Sequence, residues 1–228
     1  MYSERNLRKL DNEYHLVDRT YDDTLLKLAY LAATLTNEDA KEYVLQGAGR
    51  RLRILKCCIH NVFAMFPLTQ ERVLTDDEAA QLCIPVHAFL INTAGVADNL
   101  AWTFAKEKNA ALKNTDVGLH LSKTKDLLTP EFRHYLEEEP ISTWSKRYLK
   151  EYRDSLAHRI PLYIPPGETP DGKRLPVPVF RGSVKSDHVM MLHPQLLADF
   201  NTVAEIVEKF IKFEFPIAAK LDQAIAAM

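Results

Sequence analysis

Apolar side chains recur along this chain at the three- and four-residue spacing of amphipathic helices. Leu25, Leu28, Ala29, Ala32 and Leu35 form a stripe over about three turns. Thr36 or Asn37 can cap the next helix, where Glu38 and Asp39 suit the positive end of the helix dipole. That helix is predicted from Glu38 to Phe66, with Ala40, Val44, Ala48, Leu52, Leu55, Ile59 and Val62 on one face and Pro67 as its stop. Gly47 and Gly49 lie inside it, each costing roughly 1 kcal/mol relative to alanine, and close contact with a neighbouring helix explains them. Thr75-Asp76-Asp77-Glu78 is a capping box that opens another long helix, buried through Leu82, Val86, Phe89, Ala94, Ala97, Ala101 and Phe104. Pro85 predicts a kink in it or a later start. Asn92 and Asn99 are seven apart, hence on nearly one side, where asparagines stitch helices or serve a site.

The polar stretch 1–19 carries no clear pattern, and 109–129 reads as a loop with local turns. Thr129-Pro130-Glu131 marks the start of a short helix that ends by Pro140. Ser142 or Thr143 then caps a helix whose stripe is Trp144, Tyr148, Tyr152, Leu156 and Ile160, and Pro161 forbids its continuation. Six prolines and two glycines between 161 and 178 exclude helix there. Val177–Phe180 and Val189–Met191 can pair as a short hairpin. Pro194 starts a last helix through Leu197, Phe200, Val203, Ile206, Val207 and Phe210, broken by Pro216 before a terminal turn at Leu221–Met228. The expected class is all-α: a bundle of four long helices plus short ones, one domain over 1–228, with 161–193 a Pro-rich extended insertion.

Composition narrows the functional classes. A hydrophobic share of 46%, a charged share of 26% and only seven glycines suit a soluble, mostly helical protein. A net charge of −2 argues against a general nucleic-acid coat, so any nucleic-acid contact must use local clusters. Arg50-Arg51-Leu52-Arg53 with Lys56 is one, and Lys146-Arg147 with Lys150 another, although such runs are commonly solvated helix faces. Cys57, Cys58 and Cys83 give no disulfide framework. No apolar leader opens the chain and no apolar run approaches the roughly 18 residues of a membrane span, so the expected compartment is the cytoplasm, with no membrane partner.

The motif that carries chemistry is Arg153-Asp154-Ser155-Leu156-Ala157-His158, at the end of the helix that Pro161 stops. Arg8…His15, Arg53…His60 and Arg181…His188 have related spacings with six residues between. Only Arg153…His158 combines the short spacing, a polar residue after the arginine, a helical frame and a helix-ending proline. The stretch resembles the R-x4-6-H signature of HEPN domains, the higher eukaryotes and prokaryotes nucleotide-binding family. The likeness is confined to this motif in its helical setting. It implies a HEPN-like bundle, a homodimer with the motif helices close together, and a metal-independent endoribonuclease acting on single-stranded RNA, as a toxin or defence effector.

Residue chemistry is compatible with that implication. Histidine titrates near neutral pH and can move the proton of an attacking 2′-OH. The planar fork of arginine matches a phosphate. His158 and Arg153 are therefore the catalytic candidates. Asp154, four residues before His158, can orient the imidazole, and Asn99 is a second supporting candidate. Arg147, Lys150 and Arg159 are the nucleic-acid-binding candidates. Positions five apart point about 140° from each other on a helix, so Arg153 relies on its length to reach a point shared with His158. The plain alternative is that both cations cap the helix C-terminus.

Cys83 with His87, and Cys57 and Cys58 with His60, lack the ligand spacing of a structural zinc site, so no metal or other cofactor is expected. Glu137-Glu138-Glu139 reads as a surface run, and His188 and His193 carry no default role. Beside the ribonuclease stand two alternatives: a non-catalytic HEPN-like module binding nucleotide, RNA or a partner protein, and a small-molecule or signalling bundle in which the motif is accidental.

Overall fold

The computed structural model describes residues 2–165, 179–181 and 189–220, without the side chains of Arg147 and Tyr148. The first helices are α1 (Glu4–His15) and α2 (Val17–Thr34). Ser3 caps α1 through its side chain. Sequence periodicity misses α1 because its only fully buried residue is Leu10, and it misses the first two turns of α2 because most of their side chains are polar.

The helix predicted from Glu38 to Phe66 forms as one rod, α3, with a wider turn inside it. Its segments are α-helical Glu38–Glu42, π-helical Tyr43–Gly49 and α-helical Arg50–Met65. Asn37 caps its start, and the Glu107 carboxylate accepts from the backbone N–H groups of Thr36 and Asn37, both at 2.9 Å. The π segment contains both glycines. A π turn re-aims the side chains that follow it, a feature common at functional sites.

Helix α4 (Asp76–Glu107) is the spine of the bundle. Its predicted capping box forms, with Thr75 accepting from the Glu78 N–H and the Glu78 carboxylate from the Thr75 N–H. Pro85 is buried within the helix and does not delay its start. Against the sequence expectation, α4 meets the length and apolarity of a membrane-crossing helix, with a mean hydropathy of 1.4. Half of that window is buried by the helices around it, among them α3 and α7.

Two short turns (Asn114–Asp116 and Ser122–Lys125) lead to α5 (Pro130–Glu137), capped by Thr129 as predicted. Next comes α6, made of Ile141–Thr143, a second π segment at Trp144–Leu149 and α-helical Lys150–His158. Ser142 and Thr143 do not cap it. They lie inside its first turn and both donate their hydroxyls to the Glu139 carboxylate. The helix ends where Arg159 turns extended, just before Pro161.

Of the Pro-rich insertion, residues 166–178 and 182–188, including His188, lie outside the described residues. So does the expected Leu221–Met228 turn. The predicted hairpin forms over the residues described, while Val177 and Pro178 of its predicted first strand lie outside them. β1 (Val179–Arg181) pairs antiparallel with β2 (Val189–Met191) in the register Val179↔Met191, and Tyr163 bridges to Arg181. Helix α7 (Leu192–Glu214) begins two residues before Pro194 and closes the core with Leu196, Phe200, Val203, Ile206, Val207 and Phe210. The described chain is thus mostly helical with one small sheet, as the all-α expectation required at that level.

Candidate functional site

The motif helix is anchored at its base and open at its end. The Trp144 indole N–H donates to the Asp199 carboxylate of α7 at 2.7 Å, and Gln195 donates to the same oxygen at 2.7 Å. Burial pushes the Asp199 carboxyl up to about 7 despite these two donors. Tyr152 packs its ring on Phe180 of β1 at 5.7 Å. Trp144 and Tyr152 are therefore buried within the bundle.

At the open end, His158 is exposed, and among the described residues nothing hydrogen-bonds or ion-pairs with it. Arg153 is 42% exposed. Its Nε and Nη2 donate to the carboxylate of its neighbour Asp154, the shorter bond at 3.0 Å. Lys150 approaches the other Asp154 oxygen at 3.2 Å. Burial raises the Asp154 carboxyl, but the bonds from Arg153 and Lys150 outweigh it and hold the group below its usual value. The structure thus pairs Asp154 with Arg153 and Lys150 and does not join it to His158 among the described residues. A flexible cation on each side takes the carboxylate before an imidazole a full turn away can reach it.

A second carboxylate, missed in the sequence, stands opposite. Asp98 of α4 places Oδ2 4.0 Å from Arg153 Nη1. Withdrawal of water raises the Asp98 carboxyl, and the charges of Arg153 and Arg51 oppose that rise without cancelling it. Arg153 is thus held between Asp154 on its own helix and Asp98 on the spine. Asp98 carried no sequence signal, because it is one acidic residue on a helix with no patterned partner.

The Asn92–Asn99 spacing does report a real cluster. Arg51 of α3 donates Nε to Asn99 Oδ1 and Nη1 to Asn92 Oδ1, both at 2.9 Å. Asn99 does not touch the motif. It faces the arginine whose neighbour in the field is Asp98. Among the nucleic-acid-binding candidates, Lys150 is exposed and paired with Asp154, and Arg159 is exposed at the helix end. The Arg147 side chain lies outside the described residues.

The remaining candidates have structural partners. His60 bonds through Nδ1 to the Tyr14 hydroxyl at 2.9 Å and through Nε2 to Asp18 at 3.2 Å, which stitches α1 and α2 to α3. Lys56 joins the same Asp18 at 3.1 Å, away from Arg51. His87 donates Nε2–H to the Leu162 carbonyl at 2.6 Å, beside a cleft of about 490 Å³ that Cys83, Ile84 and Ile164 also line. Among the described residues no three His, Cys, Asp or Glu side chains converge as a metal-binding group.

Compared with models of protein families, with curated proteins and with solved structures, the chain matches none of them.

Proposed function

We propose that the end of α6 is the active site of a HEPN-like, metal-independent endoribonuclease acting on single-stranded RNA. The observation that supports this most is the contrast between two neighbouring cations. Arg153 is held by carboxylates on two helices, while His158, further along α6, is exposed and has no partner among the described residues. A structural C-terminal cap would tie its imidazole to the final carbonyls. A proton carrier needs the ring free. In this reading His158 takes the proton of the 2′-OH as its oxygen bonds to the adjacent phosphorus, the 5′-oxygen leaves as its P–O bond breaks and picks up a proton from water, and the Arg153 guanidinium meets the phosphate oxygens. Lys150 and Arg159 add positive charge along the strand.

Cleavage by this route persists in excess chelator, requires a 2′-OH and leaves a 2′,3′-cyclic phosphate. His158→Ala abolishes it, a loss of at least about 10²-fold, with the helical circular-dichroism spectrum unchanged. His60→Ala leaves the rate near that of the wild type. Survival of several unstructured RNAs with pure protein refutes the enzyme. Asp154, occupied by Arg153 and Lys150 and so not available to His158, favours a second reading: a non-catalytic module that binds RNA or nucleotide through Arg153. RNA binding without cleavage selects it. A homodimer that pairs two α6 ends would use Ile160, which is 67% exposed there, and sedimentation measures it.

A further inference from the structure

Arg51 is the unusual cation of this bundle. Its guanidinium lies flat across the spine helix at Gly95, so close that a Cβ at that position would stand 2.5 Å from Arg51 Cζ. The two groups that fix it, Asn92 and Asn99, are neutral. Among the described residues no carboxylate reaches it within ion-pair distance, although most other long cations at helix contacts here have one: Lys27 with Glu208, Lys56 with Asp18, Lys106 with Asp39. Gly47, in the π segment of α3, leaves room for the Asn99 amide, where a Cβ would stand 2.7 Å away. Two glycines, two asparagines and a π turn thus combine to hold one arginine in one orientation with no carboxylate bonded to it among the described residues.

A half-buried charge held by neutral dipoles is costly as a mere helix stitch, because an apolar pair would serve that role better. The same arrangement suits an anion site, where the charge is kept for a ligand and the fork is already oriented. Of the five N–H donors of a guanidinium, two are taken by the asparagines. Its position joins it to the motif. Asp98 and Asn99 are consecutive on α4; the first approaches Arg153 and the second holds Arg51, and Asp98 lies in the field of both arginines. Each arginine also follows a π segment by a few residues, Arg51 after Tyr43–Gly49 and Arg153 after Trp144–Leu149.

We propose that Arg51 is a second phosphodiester-binding group, which takes a backbone phosphate of the strand beside the one that Arg153 meets. The proposal rests on the RNA-binding reading of the α6 end. Asp98, whose charge acts on both cations, offsets their mutual repulsion while no strand is bound.

The test uses a single-stranded 2′-O-methyl oligoribonucleotide, which cannot be cleaved, so that binding is read without catalysis. Its affinity is measured between 50 and 200 mM salt for the wild type, Arg51→Gln, Asn99→Asp and Arg153→Gln, with the melting temperature of each. One lost phosphate contact flattens the slope of log K against log salt by about 0.7. Arg51→Gln should flatten it by that amount. Asn99→Asp should do the same while keeping the fold, because it retains the shape and the hydrogen bond but gives Arg51 a counter-charge. If both variants keep the wild-type slope while Arg153→Gln flattens it, Arg51 is a structural stitch and the proposal falls, with the reading of α6 intact. If the wild type binds no oligonucleotide, both fall together.

Discussion

Asp154 shows how far a spacing argument carries at the scale of single residues. An i,i+4 aspartate and histidine can touch on a helix, but the same aspartate is i+1 to Arg153 and i+4 to Lys150, and both of those cations are longer and permanently charged. The geometry resolves the competition in their favour, with bonds at 3.0 and 3.2 Å. If the end of α6 cleaves RNA as proposed, Asp154→Asn should therefore leave the pH dependence of that cleavage where it is. It should instead raise KM several-fold, because Arg153 loses half of its clamp. A pH–rate profile displaced in the variant would restore the orienting role to Asp154. The same scale explains what the sequence concealed. Asn92 and Asn99 were legible as a pair because two like residues seven apart form a pattern. Arg51 was legible only as one member of the basic run Arg50-Arg51-Leu52-Arg53 and Asp98 not at all, since each meets its partner only after two helices have packed.

Among the elements, those with local causes were legible and those with tertiary causes were not. Thr75 and Glu78 close their capping box, and Thr129 with Pro130 starts a helix, because each signal sits within one turn. The two π segments have no such local signature. The first exists at the contact of α3 with the spine, where Tyr43 stacks on Trp102 at 5.4 Å and Gly47 admits Asn99. Glycine at 95 follows the same logic, and it gives a prediction whose sign opposes helix propensity. In an isolated helix Gly→Ala is stabilising by about 1 kcal/mol. Here the new methyl would meet the Arg51 guanidinium, held in place by two hydrogen bonds. Gly95→Ala should be net destabilising by about 1–3 kcal/mol, the range for overpacking, which is a fall of several degrees in melting temperature for a chain of this size. An unchanged or higher melting temperature would mean that Arg51 swings aside freely and is not fixed.

For the whole molecule, two imidazoles and one carboxyl with large pKa shifts pull the pH response of stability in opposite directions. His193 is fully buried; its Nε2–H donates to the Phe66 carbonyl at 2.7 Å and its Nδ1 accepts from the Tyr2 hydroxyl at 3.1 Å, so both ring nitrogens are satisfied in the neutral form. Burial holds its pKa down to about 4. His120 is also held down to about 4, by burial and then by the charges of Lys125 and Lys146. Each histidine is neutral when folded and ionises near 6.5 when unfolded, so its contribution is complete above pH 6.5 and is lost as pH falls towards 4. Asp199 has the reverse sign. Its folded pKa of about 7 lies above the usual 3.8, so its contribution is complete below pH 3.8 and is lost as pH rises to 7. Between pH 4 and 6.5 one carboxyl thus offsets about half of what two imidazoles lose, and the wild type should lose on the order of 10 °C in melting temperature on acidification through that range. Asp199→Asn removes the offset and keeps an acceptor for the Trp144 indole. Relative to the wild type, the variant should gain on the order of 10 °C between pH 4.5 and pH 7.5, at about 1.4 kcal/mol per pKa unit and 2–4 °C per kcal/mol. Its own acid limb should be steeper. Melting curves that run parallel for the two proteins across that range would show that Asp199 is ionised in the folded state, with Trp144 and Gln195 sufficient to hold a buried carboxylate at the base of the motif helix.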